Sequence, residues 1–132
     1  MIFEFADLWV IHSLLNVQSE GKATELRNLI AFADYTNHAI MTFDEFSGAF
    51  KKFIQIGLIE IAENELKISA GFKAWYKVRF EHKKRMNFQK EISVIHEYLK
   101  INYNEFNAFS NVADIIITKE IFDNKVLEYL HQ

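Results

Sequence analysis

Cysteine and proline are both missing from the 132 residues, and glycine occurs only four times. Without cysteine there is no disulfide, no thiolate zinc site and no thiol nucleophile, and such a composition suits a reducing, cytoplasmic setting. Without proline or a glycine-rich tract there is no linker to separate two folding units, so one domain over residues 1–132 is expected. No apolar run approaches the ~20 residues of a membrane span. Met1-Ile2-Phe3-Glu4 lacks the basic flank and long apolar core of a signal peptide, so no membrane role is expected. The net charge of −3 is too small to select a partner. What remains is ordinary globular composition, half hydrophobic and a quarter charged, in a chain long enough to bury a core unaided.

The mild total conceals an uneven distribution. Residues 1–65 hold ten acids against four bases, residues 66–90 eight bases against one acid, and residues 91–132 seven acids against three lysines. An acidic front, a basic middle and an acidic tail can attract one another within the fold or recruit something else.

Helical periodicity dominates the chain. A first helix is expected over Phe5–Val17, where Leu8, Ile11 and Leu15 form one stripe and Val10, Leu14 and Val17 a second, which one neighbour could not cover. A second helix is expected over Ala23–Tyr35, with Thr24 or Lys22 near its start and Asn37 as its left-handed exit. Thr42-Phe43-Asp44-Glu45 is a capping box for a third helix, Phe43–Ile56, which Gly57 closes. Leu58–Ile61 and Glu65–Ile68 alternate around Asn64 and read as a β-hairpin with Asn64 at its tip. Ser69 then caps a helix bearing Phe72, Trp75, Tyr76 and Phe80. Further on, Phe88, Ile92, Ile95 and Leu99 mark a fifth helix, and Val126, Tyr129 and Leu130 a last one. Residues 102–111 read as loop, and Ile115–Ile117 as a short strand or the start of a helix.

Helix, helix, capped helix, Gly-Leu-Ile, hairpin and serine-capped helix is the order of a winged helix, and residues 5–76 resemble that superfamily. The stretch Ala33-Asp34-Tyr35-Thr36-Asn37-His38-Ala39-Ile40-Met41-Thr42-Phe43-Asp44-Glu45-Phe46, followed by Gly57-Leu58-Ile59, resembles a group of small bacterial winged-helix-like proteins with no assigned activity. The resemblance implies a mostly α fold with one small β-hairpin: a winged-helix-like core over 1–80 and a helical extension over 81–132. It leaves function open, because such folds bind DNA, RNA or other proteins.

Enzymatic signatures are missing: there is no glycine-rich phosphate loop, nucleophile elbow, HExxH motif or EF-hand ladder. The five histidines stand apart from metal-ligand partners in sequence, so neither catalysis nor any metal or cofactor is expected. His12 and His96 read as surface or half-buried helix residues. The most polar corner is Asp34, Asn37 and His38, which reads chiefly as a helix exit, with Asp34 orienting His38 as the functional alternative. Lys51, Lys52 and Gln55 face outward on the third helix, and Lys73, Lys77, Lys83, Lys84 and Arg85 supply a basic segment; these are the candidate contacts for nucleic acid or an anionic partner. Asp44 and Glu45, at the end of the third helix that faces base edges in DNA-binding winged helices, and Glu63 and Glu65 at the hairpin, have the wrong sign for phosphate. A non-enzymatic protein-binding module is therefore expected ahead of a DNA-binding regulator.

Overall fold

Two apolar stripes on one short helix require neighbours on more than one side, and α1 (Phe5–Val17) has them. The computed structural model describes residues 2–18, 24–62, 65–81, 87–103 and 117–132. After α1 come β1 (Thr24–Glu25), α2 (Leu26–Asn37), α3 (Phe43–Gln55), β2 (Ile59–Ala62), β3 (Glu65–Ile68), α4 (Ala70–Glu81), α5 (Phe88–Tyr103) and α6 (Lys119–Leu130). The chain is mostly helical with a small antiparallel sheet. Helices α2, α3 and α5 pack against α1, and β3 touches it. Val10 and Leu14 are fully buried, and Val17 is half-buried. Helix α6 closes the other side by packing on α2 and α3.

Three helices begin in the same way. A side-chain or backbone cap is preceded by one buried apolar residue and followed four residues into the helix by another: Phe3 and Leu8 at α1, Met41 and Phe46 at α3, Ile117 and Phe122 at α6. These are the positions of a hydrophobic staple, which fixes the angle at which the chain enters a helix. At α3 the capping box forms as its sequence requires, with the Glu45 amide donating to Thr42 Oγ1 at 3.1 Å and the Thr42 amide to Glu45 Oε1 at 3.0 Å. At α6 the Ile121 amide donates to Thr118 Oγ1 at 3.2 Å. Ile117 is therefore not strand but the entry to a helix, the buried residue just ahead of the α6 cap. Ser69 caps α4 as expected, accepting from the Phe72 amide at 3.4 Å.

The second helix departs from expectation at both ends. Thr24 does lie near its start, but with Glu25 it forms β1, which pairs with Leu66 and Glu65 of β3 and makes the sheet three-stranded in the order β1-β3-β2. A two-residue strand is defined by its partner, and nothing in residues 24–25 alone announces it. The helix then runs to Asn37, and His38 rather than Asn37 takes the left-handed conformation, at φ 55° and ψ 40°. The expected antiparallel hairpin forms, but its first strand is shifted one residue to Ile59–Ala62, so that Ile59 stands opposite Ile68 and Ile61 opposite Leu66. Gly57, at φ 78°, turns the chain from α3 into it, a conformation that costs glycine nothing. The expected hairpin tip at Asn64, residues 104–111 of the expected loop, and Ile115 and Ile116 lie outside the described residues, while Asn102 and Tyr103, expected as loop, end α5.

Phe46, Phe50 and Phe53 are fully buried, with Phe46 and Phe50 ring centroids 4.4 Å apart. The phenylalanine stripe of α3 is thus core. Truncating Phe50 to alanine should cost ~3–5 kcal/mol through lost burial and the cavity left behind. A shift in the denaturant midpoint of that size at unchanged slope checks it.

Candidate functional site

A helix buried on most sides has to find partners for its own polar side chains, since each one left unsatisfied is costly. On α1 those partners come from five different elements. Asp7 accepts from Lys52 Nζ of α3 at 2.6 Å and from the Glu4 amide at 2.8 Å. Trp9 Nε1 donates to the Ala33 carbonyl of α2 at 3.1 Å. His12 Nε2 lies 2.9 Å from Glu91 Oε1 of α5. Asn16 Nδ2 donates to the Tyr76 hydroxyl of α4 at 3.0 Å and to the His12 carbonyl at 2.8 Å. Gln18, just past the helix, donates to the Leu66 carbonyl at 2.7 Å and accepts from the Ile68 amide at 3.0 Å, which secures β3.

The His12–Glu91 pair is the most chemically suggestive of these contacts. A carboxylate that holds an imidazole in one orientation is the arrangement of a general acid–base pair. The Phe88 ring meets the imidazole edge-on at 5.1 Å and Phe32 lies at 6.1 Å. His12 is 1 % and Glu91 3 % exposed, so a dissolved substrate has no route to either. The pair joins the central helix to α5 inside the core. Sequence reading missed it because the two residues are 79 positions apart and neither has a local signal. Among the described residues, no three His, Asp or Glu gather into a metal site.

The polar corner is similarly occupied by structure. Asp34 does not orient His38; its Oδ2 accepts from the Tyr129 hydroxyl of α6 at 2.7 Å, and its backbone carbonyl accepts from the His38 amide at 2.7 Å. The bond to Asp34 pushes the Tyr129 phenol above its ordinary value, because the phenolate form would face a carboxylate. Asn37 ends α2, and His38 is exposed at its left-handed cap.

The expected contact residues separate into three groups. Lys51 and Gln55 are exposed on α3, on one outward strip with Asp44 and Gly48. Lys52, next to them in sequence, is bound by Asp7 and by the Ile2 carbonyl at 3.0 Å. On α4, Lys77 is exposed and Lys73 half-buried, beside a stack in which Trp75 lies 4.0 Å from Tyr98 and 5.7 Å from Phe72. Lys83, Lys84 and Arg85 lie outside the described residues. The first turns of α3 and α6 meet: Phe122 sits 5.9 Å from Phe43 and 5.0 Å from Phe46. The Lys119 ammonium is pushed up by its hydrogen bond to Asp123, and Asp44 of α3 acts in the same direction.

The buried pair generates a direct test. Glu91→Met leaves His12 enclosed without its carboxylate partner and should destabilise the protein by ~3–5 kcal/mol. Replacing both residues with apolar ones of similar size, His12→Leu with Glu91→Met, should recover most of that loss. Chemical denaturation of the two single variants and the double variant measures the coupling.

Compared with known proteins, the chain matches no family model, no curated protein and no solved structure, so its function has to come from its own residues and their geometry.

Proposed function

We propose that the chain is a non-enzymatic, winged-helix-like module that works by binding a protein partner. The order α1, β1, α2, α3, β2, β3, with a third strand completing the sheet beside the hairpin, supports the winged-helix-like reading. The enclosure of His12 and Glu91, which leaves the best acid–base pair without access, supports a non-enzymatic role.

The observation that carries the choice of protein over DNA is the outward strip of α3. If α3 entered a major groove, Asp44, Gly48, Lys51 and Gln55 would meet the duplex. That strip has one acid and one base, because Lys52 is held by Asp7. One phosphate contact contributes only about 0.9 to the log–log salt slope, whereas specific binders rely on many. The surface also exposes large apolar side chains that a protein interface would use, with Tyr35 at 77 % and Leu130 at 55 % exposed.

Selection of binding sites from a random duplex pool at physiological salt should enrich no sequence motif. Affinity purification from the source cells should return a stoichiometric protein complex. An enriched operator, with binding lost on Lys51→Ala or Gln55→Ala, would make the protein a DNA-binding regulator that uses α3 and the basic segment 73–90.

A further inference from the structure

We draw no further inference here: the strongest candidate, the outward face of α6 on which Leu127 and Leu130 stand exposed one turn apart, carries nothing because no feature of the structure shows what covers it.

Discussion

The burial of α1 is the constraint on which the rest of the structure depends. A helix with two apolar stripes goes to the centre, and it takes Asp7, Trp9, His12 and Asn16 there with it. Each of these then needs a hydrogen-bond partner from whichever element lies alongside. The result is a division of labour in which α1 sets the register of α2 through Trp9, α3 through Asp7, α4 through Asn16 and α5 through His12, while Gln18 extends the pattern to β3. Apolar packing alone tolerates sliding of one helix over another. Directed bonds of 2.6 to 3.1 Å at five separate places do not.

Features that arise within a few residues were legible in the sequence. The Thr42–Glu45 box, the Gly57 turn, the Ser69 cap and the alternation on either side of residues 63–64 lie within one turn or one hairpin, and each led to the right element. Helix α1 was legible even in its need for extra cover. What could not be read was contact between distant segments. Strand β1 exists only because β3 is beside it, and the partners of Asp7, His12 and Asp34 lie 45, 79 and 95 positions away. The candidate site suffered most for this reason. Lys52 looked like an outward cation until Asp7 was found beside it, and His12 looked solitary until α5 folded back.

Function is narrowed by the same accounting. The polar side chains that look most like chemistry are consumed in holding the helices together, and the proposed protein-binding reading therefore looks to outward faces. There, α3 offers a strip with one acid and one base, and α4 offers an exposed Lys77. On the proposed reading, such a surface serves recognition of another protein rather than insertion into a polyanionic groove.

Bonded to every neighbour, α1 cannot open without all of them letting go. Native-state hydrogen exchange across low denaturant concentrations measures this directly. The amides of Leu8 to Leu15 should exchange only through global unfolding, with opening free energies equal to the stability of the whole protein, and α4, α5 and α6 should open at or below that value. Exchange of the α1 amides by a partial opening of lower free energy, while any of α4, α5 or α6 stays protected, would contradict it.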